Sequence, residues 1–93
     1  MKVNIETLEK ITLILLSKLK EDNGKTIELN DDFYWDIPDN EIYNPYKEPK
    51  NLTLGQLSSD IERIEEAISS DSFINYDIKI ISSILRALSK IVW

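Results

Sequence analysis

The stretch that decides the fold reads NDDFYWDIPDNEIYNPYKEPKNLTLGQL and runs from Asn30 to Leu57. It holds five of the eight aromatic residues and all three prolines of the 93-residue chain. The segments on either side show plain helical patterning, whereas this one is interrupted by Pro38, Pro45 and Pro49. Because unstructured loops of this length are uncommon in compact domains, we expect an ordered connection between two helices.

The aromatic rings of this stretch offer a means of holding it in place. We predict that Phe33, Trp35 and Tyr46 anchor the connection on the helices. Just before it, Thr26–Leu29 alternates polar and apolar residues and contains β-branched side chains, which predicts a short extended segment. The pattern leaves open a two-stranded ribbon between this segment and residues 34–37.

A first helix is predicted from Val3 to Asp22. Asn4 is a suitable N-cap, and Gly24 can adopt the left-handed conformation that ends many helices. Apolar residues cover well over half of the circumference of this helix, with Leu8, Ile11, Leu15 and Leu19 forming the main stripe. We therefore expect it to be the central and most buried helix of the protein.

A second helix is predicted to begin at Thr53 with a capping box, in which the Thr53 and Gln56 side chains bind each other's backbone amides. Its apolar stripe contains Leu54, Leu57, Ile61, Ile64 and Ile68.

A third helix is predicted to begin at Asp71 or Ser72 and to run to about Ile91. Its apolar stripe contains Ile74, Ile78, Ile81, Leu85, Leu88 and Val92, and Ile80, Ile84 and Ile91 widen it. Both helical stripes are typical of a core, and we expect the terminal Trp93 to be buried against them.

Together these patterns predict a mainly α protein. The expected architecture is a three-helix bundle with a long, ordered, aromatic- and proline-rich connection between helices 1 and 2, and with a short β ribbon left open. Its length predicts a single helical domain that covers residues 1–93.

Composition narrows the function classes. The net charge is −6, and the middle of the chain is the most acidic part, so a nucleic acid is an unfavourable partner and a basic protein is a favourable one. The chain has neither cysteine nor histidine, which removes thiolate metal sites and the commonest general base. The apolar run from Ile11 to Leu16 is too short to cross a bilayer and lacks the flanks of a signal peptide, so we expect a cytoplasmic protein that does not enter a membrane.

The carboxylates of the middle stretch do not follow the pattern of a metal site. Asp31, Asp32, Asp36 and Asp39 lack the alternating spacing and the glycine turn of a calcium loop. Paired acid–base chemistry between Asp36 and Asp39 or Glu41 would require a cleft that separates their pKa values, and no pattern in the sequence indicates one. We therefore expect no catalytic residues, no cofactor and no metal, and we do not expect an enzyme.

A protein-binding surface fits these residues better. Tyrosine and tryptophan are favoured at the centres of interfaces, and carboxylates around them orient a basic partner. The same rings also serve as anchors in the alternative interpretation, and one loop can do both. The predicted contact residues are Asp31, Asp32, Tyr34, Asp36, Asp39, Glu41 and Tyr43.

The middle stretch also resembles a family. Asp32-Phe-Tyr-Trp-Asp-Ile-Pro38, Ile42-Tyr-Asn-Pro45, Glu48-Pro49 and Leu52-Thr-Leu-Gly-Gln-Leu-Ser-Ser-Asp60 are together similar to a pattern in small bacterial proteins, some of which are immunity proteins of contact-dependent growth inhibition systems. The similarity covers about residues 30–62. The family pattern has two acids where this chain has Ser59-Asp60.

The resemblance implies a small cytosolic protein without enzymatic activity that neutralises a cognate toxin domain, often a basic nuclease, by stoichiometric binding. Opposite charges would steer the association. The alternative hypothesis is a structural or regulatory helical protein that self-associates through the third helix and Trp93. The expected assembly is a monomer or a weak homodimer.

Overall fold

The computed structural model describes residues 1–91 and divides them into two compact units, residues 1–28 and residues 29–91. The protein is mainly α-helical with one small antiparallel sheet. Four helices are present in the described part of the chain, so the predicted three-helix bundle is not confirmed. The short ribbon that the sequence left open does exist, but with a different second strand.

The first unit contains one long helix, α1, from Ile5 to Asn23. Its N-cap is Asn4, whose side-chain oxygen accepts a hydrogen bond from the Thr7 amide at 3.0 Å. Gly24 ends the helix with a φ of 82°, and its amide donates to the Lys20 carbonyl at 2.8 Å. Both predicted end signals are therefore confirmed, because they depend only on local backbone geometry.

The prediction that α1 is the central, most buried helix is wrong. Leu19 is its only buried residue, while Leu8 and Ile11 are 53% and 44% exposed. An apolar stripe predicts that a helix forms and which face is apolar, but it does not establish that another element covers that face.

The second unit contains the remaining elements. Strand β1 (Phe33–Asp36) is followed by the one-turn helix α2 (Asp39–Ile42), strand β2 (Thr53–Gln56) and helices α3 (Leu57–Ser70) and α4 (Tyr76–Leu88). The two strands are antiparallel, with Tyr34 opposite Gly55 and Trp35 opposite Leu54. Helices α3 and α4 pack against each other.

The predicted capping box at Thr53 is wrong, since Thr53–Gln56 forms strand β2 and the helix begins at Leu57. The first amides of α3 are satisfied by Asp32, which is distant in sequence. Its carbonyl accepts from the Leu57 amide at 2.7 Å, and its carboxylate accepts from the Ser58 amide and the Gln56 side chain at 2.9 Å each. A contact across more than twenty residues is invisible to local pattern analysis.

These bonds predict a pH dependence. Hydrogen bonds from the Gln56 side chain and the Ser58 amide lower the pKa of Asp32 below its ordinary value of 3.8. A carboxyl with a lowered pKa in the folded state contributes stability above its unfolded pKa and loses it as the pH falls. We expect Asp32→Asn to lower the urea midpoint at pH 7, and we expect its difference from wild type to shrink below about pH 3.8. A difference that does not change with pH would contradict this assignment.

The predicted anchors are also wrong. Phe33, Trp35 and Tyr46 are 63%, 68% and 94% exposed, and Tyr34 is the half-buried ring of the stretch. Residues alternate between the two faces of a strand, so the face that packs inward carries Tyr34 and leaves its neighbours outside. Thr26–Leu29 forms no strand in the described chain, because β1 pairs with β2 instead.

Helix α4 differs from its prediction at both ends. It begins at Tyr76 and ends at Leu88. Asp71 does not cap it, because Asp71 adopts the left-handed conformation and ends α3. The buried apolar residues of the pair are Leu57, Ala67 and Ile80. The core stripe assigned to this helix is only partly correct, since Ile74, Ile78 and Ile81 are exposed. The prediction that Trp93 is buried falls outside the described residues.

An ion pair joins the two packed helices. Arg63 of α3 binds the carboxylate of Asp77 of α4 through Nε and Nη2, at 3.0 and 3.2 Å. Asp77 is only 4% exposed and also accepts from the Ile74 amide at 3.0 Å, so it fixes the N-terminus of α4 at the same time.

Within residues 1–91, no helix combines the length and apolar character needed to span a bilayer.

Candidate functional site

A cleft of about 970 Å³ lies in the second unit between β1 and α4. The whole of β1 borders it, and the segment after β1 contributes Ile42 and Tyr43. The opposite wall is one face of α4, with Ile78, Lys79, Ser82, Ser83, Arg86 and Ala87. We refer to it as the β1–α4 cleft.

Ion pairs close both ends of the β1–α4 cleft. At one end the Lys79 ammonium lies 3.5 Å from Asp36 and 3.7 Å from Asp39. At the other end Lys90 binds the carboxylate of Asp31. The segments 31–36 and 79–90 therefore run in opposite directions. Each spans about 16 Å between the two ion pairs, given the rise per residue of an extended chain and of a helix.

Lys79 serves two acids at once. Partial burial lowers the pKa of its ammonium, but the charges of Asp36 and Asp39 outweigh that effect and raise the pKa above its ordinary value of 10.5. The ammonium also lies 5.7 Å from the centre of the Tyr76 ring, within the range of a cation–π contact. One cation against two carboxylates leaves this end of the cleft with an excess negative charge.

Arg86 gives the other end of the cleft an excess positive charge. It lies one helical turn before Lys90 on the wall of the cleft and is exposed. No carboxylate of residues 1–91 is within ion-pair distance of its guanidinium. The cleft is therefore balanced in total, with three acids and three bases, but negative beside Asp39 and positive beside Arg86.

Tyr34 forms the floor of the cleft and links β1 to α3. Its hydroxyl donates to the Asp60 carboxylate at 2.6 Å. Burial and this neighbouring carboxylate raise the pKa of the Tyr34 phenol above its ordinary value of 10.0. The ring lies directly over Gly55, so that a Cβ atom there would overlap the ring. Glycine is used in strands where another group approaches the backbone this closely.

Exposed aromatic rings border the cleft. Phe33 and Trp35 are more than 60% exposed, and Tyr43 is 86% exposed. Leu54, the cross-strand neighbour of Trp35, is 65% exposed and extends this apolar surface across the ribbon. Contiguous exposed apolar side chains with charges at their rim are typical of protein-interaction sites.

Five of the seven predicted contact residues line the cleft: Asp31, Tyr34, Asp36, Asp39 and Tyr43. The other two have roles inside the chain. Asp32 binds the start of α3, and Glu41 accepts hydrogen bonds from the Lys50 and Asn51 amides and from the Asn51 side chain, at 3.0 to 3.4 Å. Glu41 thus closes the loop that connects α2 to β2.

Sequence reasoning missed the opposite wall and its cations. Lys79, Ser83 and Arg86 recur at helical spacing, which places them on one face of α4, and Lys90 follows in the turn after the helix. A polar stripe on a strongly apolar helix was the signal that could have found them. Their pairing with β1 required the tertiary structure.

The described residues bring together no cluster of three or more side chains that could hold a metal ion. The side chains that line the cleft offer apolar surface, charges of both signs and hydrogen-bonding groups. Comparisons with models of protein families, with curated proteins and with solved structures found no match to this chain.

Proposed function

We propose that this protein is a cytoplasmic immunity-type binding protein that neutralises a cognate, basic toxin domain by stoichiometric contact through the β1–α4 cleft. The observation that carries the proposal is the group of exposed rings, Phe33, Trp35 and Tyr43, beside a cleft of peptide-binding size. Aromatic residues dominate the energetics of protein interfaces when a partner covers them. The resemblance of residues 30–62 to immunity proteins supports the same class.

Charge supports a basic partner. The chain carries −6 overall, which favours encounter with a positively charged surface. In the cleft, Asp36 and Asp39 share Lys79, so a lysine or arginine of the partner can pair with one of these acids while Lys79 keeps the other. Charges at the rim of an interface act mainly on the association rate and on specificity.

The test is co-expression and binding with the toxin domain encoded by the neighbouring gene. We expect the Asp36→Lys, Asp39→Lys double variant to lose protection and to raise Kd by at least about tenfold, mainly through slower association. The matched control is Glu65→Lys, Glu66→Lys on the exposed surface of α3, which changes the net charge equally away from the cleft. If both variants raised Kd equally, the loss would reflect the net charge of the protein and not the cleft. Unchanged binding in both would contradict the proposed surface.

One observation favours the second candidate, a self-associating helical protein. Ile78 of α4 is 71% exposed, and the apolar stripe of α1 is largely exposed as well. Apolar surface of this kind is buried when copies associate. Sedimentation of the wild-type chain at micromolar concentration separates the candidates: a dimer supports self-association, and a monomer that binds the toxin domain supports the immunity-type function.

A further inference from the structure

The outer edge of β1 is unpaired, and the hydrogen-bonding pattern identifies which of its backbone groups are free. The bond from the Leu57 amide to the Asp32 carbonyl continues the β1–β2 register by one residue, so Asp32 and Leu57 form a hydrogen-bonded pair. In an antiparallel pair such positions alternate with non-hydrogen-bonded ones. Phe33 and Trp35 therefore direct their N–H and C=O groups away from β2, and within the described chain no backbone or side-chain group binds them.

This free edge lies along the cleft. Neighbouring residues of a strand point to opposite faces, yet Phe33 and Trp35 from one face and Tyr34 and Asp36 from the other all border the same cleft. No residue of β2 does. A cleft bordered by both faces of one strand, and by none of its partner, runs along the strand's edge.

We propose that the β1–α4 cleft binds an extended segment of the partner protein, which adds to the free edge of β1 as a third strand. The inference rests on the proposed function and specifies how the partner is recognised. The backbone groups of Phe33 and Trp35 supply up to four hydrogen bonds, and α4 forms the opposite wall. The roughly 16 Å between the two ion pairs accommodates about five residues of extended chain.

The charges of the cleft define the chemistry of this segment. Arg86 is exposed on the wall without an ion-pair partner in residues 1–91, so it matches a carboxylate of the segment. The opposite end, where Asp36 and Asp39 share one lysine, matches a lysine or arginine. Alternate side chains between these ends would contact the apolar surface of Phe33 and Trp35, as in other cases of strand addition.

The experiment uses the full chain and the toxin domain encoded by the neighbouring gene. Amide hydrogen exchange is measured on the free wild-type protein and on its complex with the toxin domain. We expect exchange at the Phe33 and Trp35 amides to be more than about tenfold slower in the complex. Phe33→Pro is compared with Phe33→Ala. Both remove the ring, but only proline removes the outward N–H, at the first residue of a strand where proline is tolerated. We expect Phe33→Pro to raise Kd roughly tenfold beyond the effect of Phe33→Ala, because it removes a hydrogen bond to the added strand.

Each outcome decides the inference. Slowed exchange with a larger loss for proline supports strand addition. Toxin binding without either effect overturns strand addition and leaves the proposed function in place, whereas absence of toxin binding overturns both. A free protein that sediments as a dimer with protected Phe33 and Trp35 amides would assign the edge to a second copy and overturn the proposal. The exchange measurement needs no variant, so it remains decisive if Phe33→Pro does not fold.

Discussion

Gly55→Ala is expected to lower the free energy of unfolding by about 2–4 kcal/mol, although it adds a single methyl group. Overpacking typically costs about 1–3 kcal/mol, and leaving a buried acceptor without its donor costs about as much again. Both apply, because the new Cβ would overlap the Tyr34 ring, and moving that ring breaks its 2.6 Å hydrogen bond to Asp60, which is 7% exposed. Urea denaturation at pH 7 measures the loss.

The control for Gly55→Ala is the same substitution in a Tyr34→Ala background. Without the ring there is nothing for the new methyl group to displace, so we expect the cost of Gly55→Ala to disappear, and the double-mutant cycle to give a large coupling. A spectroscopic readout accompanies it: in Gly55→Ala the displaced Tyr34 phenol should titrate closer to its ordinary pKa of 10.0. Equal costs in both backgrounds would show that the substitution acts on the strand alone.

Arg63→Ala is expected to lower the free energy of unfolding by about 3 kcal/mol, the low end for breaking a buried ion pair. Among the described residues it leaves the Asp77 carboxylate, 4% exposed, with only the Ile74 amide as a partner. The low end applies because the Arg63 side chain is itself 31% exposed, so water can partly replace its hydrogen bonds to Asp77 in the variant. Urea denaturation at pH 7 provides the measurement.

Two variants control the Arg63→Ala result. Arg63→Lys keeps the charge but loses the two-point geometry, so it should cost less than alanine. The Arg63→Met, Asp77→Leu pair removes both charges and should recover part of the loss, because apolar residues often replace buried ion pairs well. The recovery is partial because the bond from the Ile74 amide to Asp77 is lost as well. A decrease in the free energy of unfolding below about 1 kcal/mol for Arg63→Ala would show that this pair contributes no more than an exposed salt bridge.

The structure explains much of the motif in residues 30–60 by folding. Tyr34, Gly55 and Asp60 form one packed unit, and Asp32 completes the start of α3. Phe33 and Trp35, which alternate with these structural positions, have exposed side chains and border the β1–α4 cleft.

Local signals were read correctly at both ends of α1, whereas the predicted cap of the last helix at Asp71 or Ser72 was wrong. The N-cap at Asn4 and the C-cap at Gly24 depend on neighbours within four residues. Predictions failed where the partner was far along the chain. Asp32 replaced the expected cap at Thr53, and β2 replaced Thr26–Leu29 as the second strand.

By itself the sequence determined a mainly helical chain and an acidic, aromatic middle stretch, and it left a short ribbon open. The structure places five of the seven proposed contact residues in one cleft. Tertiary structure alone decided which aromatic rings face out, since a one-residue change in strand register exchanges the two faces. It also decided that Asp36 and Asp39 meet Lys79 and that Asp31 meets Lys90. Hydrophobic periodicity and capping act over a few residues, whereas strand pairing and ion pairs depend on which distant segments the fold brings within a few ångströms.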